Sequence, residues 1–308
     1  MEARKRAKCM RGCWGKKVRN IKRFEKNLYE RRNIMPLKLM YITNRPNIAQ
    51  IAESAGVDRI FVDMEYIGKD LRQGGMDTVQ NHHTLQDVKD VADSIKLAEL
   101  LVRVNPLHDE TSEYISSEEE INTAIDNGAR IVMLPYFKTV QEVEKFIRIV
   151  DGRAKVLPLL ETPEAVKIVD DIIKLDGLDE IFVGLNDLSL GYGKKFMFEL
   201  LCDGTVEKLC YKFNCANIPY GFGGIAALGQ GMIPAEKIII EHYRLGSSCV
   251  ILSRSFCNTN QVKDEEKISK KFLGGIQEIR SFENKVFEYS NFFVKNQKEI
   301  KRIVSEII

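Results

Sequence analysis

Four short phrases of the chain hold side chains of the kind that handle a charged oxygen. VDMEY (62–66) carries Asp63 and Glu65 with Tyr66 behind them, and LVRVNP (101–106) carries Arg103 and Asn105. LLETPEA (159–165) carries Glu161, and VGLNDLSLGYG (183–193) carries Asn186 and Asp187. In each, apolar residues come first, so the polar groups stand where a strand would end. A carboxylate buried without a partner is expensive, and a divalent cation or an arginine is its natural companion. Glu161 and Asp187 lie 26 residues apart on successive expected strands and could share one oxygen-ligated Mg²⁺ or Mn²⁺. Arg103 could hold a substrate carboxylate or a developing enolate through two N–H groups. Plainer roles compete: a helix-start carboxylate for Glu161, a turn cap for Asp187, and a structural salt bridge for Arg103. Asp63 and Glu65 share one strand face, where an ion pair with a lysine fits as well as catalysis.

The elements that must place these groups follow a regular alternation. Strands are expected at 37–43, 59–65, 100–105, 130–136, 155–161, 180–186, 218–224 and 249–253. Several are continuous apolar runs, the pattern of parallel strands covered on both faces. Helical spacing is found over 46–55, 83–98, 117–127, 139–150, 163–175 and 234–245. GVDRIFV, GARIVML, GLDEIFV and GSSCVIL each put a glycine helix stop just before a strand. Eight such units over this length describe a (β/α)₈ barrel of class α/β, a TIM barrel. No G-x-G-x-x-G follows the first strand, which counts against a doubly wound open sheet. The expected division is a basic extension over 1–34, a barrel over 35–258 and a helical segment over 259–308. An apolar stripe in the last segment, from Ile268 to Tyr289, would pack on the barrel or on a neighbouring subunit.

Composition excludes several classes. The 308 residues are 44% hydrophobic, enough to bury a large core, and carry a net charge of only +2, unlike a whole-chain nucleic-acid binder. No run of about 18 apolar residues appears, so no membrane span is expected. Residues 1–34 hold 13 Lys/Arg against 3 Asp/Glu, leaving the remainder net acidic. This arm lacks a signal-peptide core. It is expected to be a solvated extension or to precede a true start at Met35, with a nucleic-acid or acidic contact as the alternative. Seven cysteines without a C-x-x-C pair suggest reduced thiols in the cytoplasm.

Taken together at their mutual spacing, VDMEY, LVRVNP, LLETPEA and VGLNDLSLGYG resemble the HpcH/HpaI aldolase and citrate lyase β-subunit family. The resemblance spans roughly 37–257 and is most specific in ETPEA and G-x-N-D-L-S. It implies a pyruvate/phosphoenolpyruvate-type barrel, usually a homo-oligomer, and metal-dependent making or breaking of a C–C bond through a pyruvate-like enolate. It implies that Glu161 and Asp187 hold the divalent metal and that Arg103 steadies the ketoacid oxygen. Backbone N–H groups of Gly184, Leu185, Asn186 and Asp187 would cradle the ketoacid carboxylate. The expected partners are a 2-oxo acid and an aldehyde. Aldolase-type members have a histidine just after the strand-two acids, and citrate-lyase-like members an acidic residue nearby. Tyr66 stands there in this chain, so Asp63, Glu65 and Tyr66 are carried as catalytic candidates and the general base stays open. A metal-bound water, Tyr66, His82, His83 or His108 could serve, as could Arg72, Gln73 and Asp77 in the insertion 68–83. A citrate-lyase-like split of an acyl-CoA ester, or a barrel that only binds, are the alternatives.

Overall fold

Every strand of the sheet runs parallel to both neighbours, and the last pairs with the first, closing a barrel of eight staves. In the computed structural model, residues 35–69, 81–259, 261–288 and 292–308 are described. The basic arm 1–34 and the candidates Arg72, Gln73 and Asp77 lie outside the described residues. The strands are β1 (Lys38–Ile42), β2 (Arg59–Asp63), β3 (Glu99–Arg103) and β4 (Ile131–Leu134). They continue as β5 (Lys155–Leu160), β6 (Ile181–Val183), β7 (Tyr220–Ile225) and β8 (Cys249–Leu252). Around them run α1 (Pro46–Ser54), α2 (Leu85–Ser94), α3 (Ser117–Asp126), α4 (Val140–Val150) and α5 (Pro163–Ile172). Between β6 and β7 lie α6 (Leu185–Gly191), α7 (Glu199–Cys202) and α8 (Thr205–Cys215). Then come α9 (Ala235–Leu245), α10 (Glu265–Glu288) and α11 (Phe292–Ile307).

Two departures from the sequence reading bear on the site. The sixth strand stops at Val183 because Gly184 turns the backbone into α6, so Asp187 sits in a helical first turn rather than at a strand end. The helix α8 has no counterpart among the expected helices. Its buried face is Val206, Leu209, Cys210 and Phe213, with lysines and polar residues interrupting the apolar pattern.

Alternation along the strands sorts side chains between two cores. Met40, Phe61, Leu101, Ile131, Met133, Leu157, Phe182 and Cys249 fill the barrel interior. Their neighbours, such as Ile60, Val62, Val102 and Val132, face the helices. The interior is floored with charge at the strand starts. The wholly buried Arg59 donates Nη1 and Nη2 to Glu180, at 2.8 and 2.6 Å, and Nε to Glu99 at 3.1 Å. Lys155 completes this network through Glu99.

The glycine stops are demanded by geometry. Gly128 (φ +110°) and Gly177 (φ +85°) are left-handed, and a Cβ there would lie 2.7 Å from Ala92 and 2.8 Å from Ile147.

The C-terminal helices bind back on the barrel. Glu283 of α10 accepts from the Leu37 N–H (3.0 Å) and the Tyr243 hydroxyl (2.7 Å), and Arg280 donates to both Glu283 and the Leu37 carbonyl. On α11, Asn296 donates to the Lys237 carbonyl and to Glu241 of α9. His242 on α9 is wholly buried, stacked on Phe222 of β7 with centroids 3.9 Å apart, and its Nδ1 meets the Ser247 hydroxyl at 2.8 Å. Burial pushes its pKa down to about 3. Among the described residues, no helix is long and apolar enough to cross a membrane.

Candidate active site

A cavity of about 380 Å³ opens at the C-terminal ends of the strands, within the small-ligand range. Asp63, Arg103, Glu161, Gly184, Leu185, Asn186 and Asp187 all line it, so most of the expected site residues meet there. Glu65 and Tyr66 are not among its lining residues.

One wall is built by β5 and β6. After Glu161 the strand ends and α5 starts at once: Thr162 caps it by accepting from the Ala165 N–H, and Pro163 opens the first turn. Glu161 is 3% exposed and Asp187 7%, so both carboxylates are removed from bulk water yet face the same cavity. Glu161 Oε1 accepts the Tyr136 N–H at 3.0 Å. Tyr136 has φ +52°, a left-handed backbone uncommon for a non-glycine residue, which aims that amide at the carboxylate. Gly184 lies against the same group: a Cβ there would come 2.6 Å from Glu161 Oε2. Gly191 would likewise meet Pro163 Cδ at 2.6 Å. The ETPEA turn and the helix from LNDLSLG therefore pack on one another, and this contact fixes their spacing in space.

Among the described residues, no cluster of three or more His, Cys, Asp or Glu forms a ready-made metal cage. Two buried carboxylates in one cavity still fit an oxygen-seeking divalent cation such as Mg²⁺, which is commonly held by one or two carboxylates and completes its shell with water and substrate.

The facing wall comes from β2, β3 and the loop after β2. Arg103 Nε and Nη2 donate to the two oxygens of Asp63, each at 2.7 Å, and Nη1 pairs with Glu65 at 3.1 Å. Lys69, buried, stands 3.3 Å from Asp63 and 3.4 Å from Glu65. Asn81 donates to Asp63 at 2.9 Å. Burial alone would raise the Asp63 pKa, but Arg103 and Lys69 hold its carboxyl well below the usual carboxylate range. Burial works against the Arg103 charge, and Asp63 with Glu65 more than reverses it. The acids at the end of strand two thus lock the guanidinium in place, and three of its five N–H groups are engaged with them.

The remaining candidates have other surroundings. The Tyr66 and Ile67 N–H groups both go to Asn105 Oδ1, at 2.8 and 2.9 Å, while Asn105 in turn donates to Glu120 of α3. That bracket holds the Tyr66 ring on the rim, 36% exposed and tilted against His82 at 4.7 Å. His108 is tied to the Pro106 and Ile115 carbonyls, both at 2.8 Å, and does not line the cavity. His83 does line it. Lys69 and Asn81 escaped the sequence reading because a lysine and an asparagine in a polar insertion carry no periodicity that marks them as buried.

The closed parallel barrel, with its polar groups gathered at the strand C-termini, has the anatomy of a TIM-barrel enzyme. Residues 38–197 match the model of the HpcH/HpaI aldolase/citrate lyase family, and the chain belongs to that family. No curated protein sequence matches it. Among solved structures it is similar to an HpcH/HpaI aldolase from Desulfitobacterium hafniense DCB-2, at 17% identity and TM-score 0.56, covering 76% of this chain and 93% of that one. It is also similar to an HpcH/HpaI aldolase/citrate lyase family protein from Burkholderia cenocepacia J2315, at 16% identity and TM-score 0.57, over 80% and 98% of the two chains. A third is the citrate synthase SbnG, at 16% identity and TM-score 0.55, over 76% and 93%. At these identities the likeness is one of fold.

Proposed function

We propose that the chain is a divalent-metal-dependent carbon–carbon lyase of the aldolase type, acting on a 2-oxo acid through a pyruvate-like enolate. The observation that carries this is the meeting of two buried carboxylates, Glu161 and Asp187, with the Arg103 guanidinium in one cavity. Glu161 and Asp187 would hold Mg²⁺ or Mn²⁺, which when bound supplies Lewis-acid stabilisation of the charge that C–C cleavage puts on the keto oxygen. Arg103 is the catalytic cation: it lines the cavity with two N–H groups not engaged by Asp63 or Glu65, and its orientation is set before charge develops, as electrostatic stabilisation requires. Asp63 and Glu65 act through it, as positioning residues. The N–H groups of Leu185, Asn186 and Asp187, which a helix's first turn does not use internally, would receive the ketoacid carboxylate; the Gly184 N–H, expected to join them, is taken by the Leu160 carbonyl at 3.0 Å. The second reactant is an aldehyde.

The test is metal-dependent exchange of the pyruvate methyl protons in deuterated water. Exchange that needs Mg²⁺ or Mn²⁺ and falls by about 10²–10³-fold in Arg103→Ala supports the reading. Absence of exchange with either metal, in protein of native circular dichroism, removes it. Exchange seen solely with a thioester would favour acyl-CoA chemistry instead.

A further inference from the structure

The ring of His83 has a hydrogen-bonding partner that leaves no choice of direction. The β1–β2 ladder runs out at Ile42 opposite Phe61, with a last bond from the Thr43 N–H to the Phe61 carbonyl. One pleat further, the Asp63 N–H has no strand to bind, and it donates instead to His83 Nδ1 at 3.0 Å. A backbone amide can only donate, so Nδ1 must be the bare, accepting nitrogen. The neutral ring's proton then resides on Nε2, since the bond made by one nitrogen fixes the state of the other. With Nδ1 turned to the β2 backbone, Nε2–H is the remaining polar group of a half-buried ring that lines the cavity.

The surroundings also favour the uncharged ring. Burial lowers its pKa, and the Lys69 and Arg103 cations push the same way, against the Asp63 carboxylate and Asp87 on α2.

We infer that His83 is a catalytic hydrogen-bond donor, presenting a fixed Nε2–H to the oxygen that becomes negative during the reaction, and not the general base that replaces the imidazole absent at Tyr66. This rests on the enolate reading above and adds a residue outside the matched strand motifs. A base must offer a lone pair; His83 has given its own to the Asp63 amide. A neutral histidine whose acceptor nitrogen is held by backbone N–H is a known electrophile for developing oxyanions. Arg103, Lys69, Asn81 and His83 then form a wall of donors opposite the Glu161 and Asp187 carboxylates, and His83 keeps its proton throughout.

Two measurements on the full chain test this. Imidazole-¹⁵N NMR, with His83 assigned from its loss in His83→Gln, should give a bare Nδ1 and a protonated Nε2 at neutral pH and above. Adding Mg²⁺ and oxalate, a planar stand-in for the pyruvate enolate, should move the Nε2–H resonance. In activity, His83→Ala should lose about 10²–10³-fold in kcat. His83→Gln, which keeps an N–H near the Nε2 position but cannot titrate, should recover to within about tenfold of wild type. A protonated Nδ1, an imidazolium, or a Gln variant as inactive as the Ala variant overturns the inference. If oxalate binds and the Nε2 resonance does not move, the role of His83 falls alone. If the wild type holds no oxalate and turns over nothing, the enolate reading falls and takes this role with it.

Discussion

At the scale of residues, the two buried acids of the β5–β6 wall make the sharpest demand. Glu161→Gln and Asp187→Asn preserve volume but remove the anionic oxygens, so each should abolish Mn²⁺ binding, read by titration of the free-ion EPR signal, while the fold stays intact. Full metal affinity in both variants would remove the metal assignment. Gly184 tests the same point from below. Its missing side chain is space that Glu161 Oε2 occupies, with 2.6 Å to an added Cβ. Gly184→Ala should displace the carboxylate, weaken Mn²⁺ binding by more than about tenfold, and cost roughly 1–3 kcal/mol of stability through overpacking. The acids, Arg103 and the ETPEA and GLNDLS phrases were legible in the sequence because each closes an apolar strand. That Asp63 and Glu65 both converge on Arg103 was not, because the guanidinium reaches them from the neighbouring strand.

At the scale of elements, the strand–helix alternation was readable because glycine stops and proline starts are local requirements. The boundaries that moved did so for tertiary reasons: α6 forms because Gly184 and Gly191 let its seven residues press on Glu161 and Pro163. The helix α8 hid behind a polar pattern whose apolar stripe is one residue wide on most turns. Helix α9 carries a pH signature of its own. His242 is neutral in the folded chain down to about pH 3, whereas in the unfolded chain it takes up a proton near pH 6.5. The unfolded state therefore binds more protons between these values, and stability falls as pH falls through that window. From pH 7 to 5 the loss from this group is on the order of 2 kcal/mol. Urea midpoints at both pH values should show His242→Leu with a correspondingly shallower decline than wild type; equal declines would refute a buried neutral ring.

At the scale of the whole molecule, the C-terminal helices complete the barrel through Glu283, which bonds the chain just before β1 and the Tyr243 hydroxyl of α9. Glu283→Ala strands both donors and leaves Arg280 paired to Asp58 alone, a cost of about 1–3 kcal/mol for the buried groups. Thermal melting should fall by roughly 2–12 °C, and an unchanged melting temperature would show that α10 is not clamped by this residue. The sequence pattern placed helices in this region, but a clasp between residues 246 positions apart leaves no mark in local periodicity. The ionic floor formed by Arg59, Glu99, Lys155 and Glu180 has a consequence for traffic. A tube plugged at its lower rim has one doorway, so in any two-reactant chemistry whatever settles deepest arrives first and departs last, and inhibition by each released fragment should differ in kind.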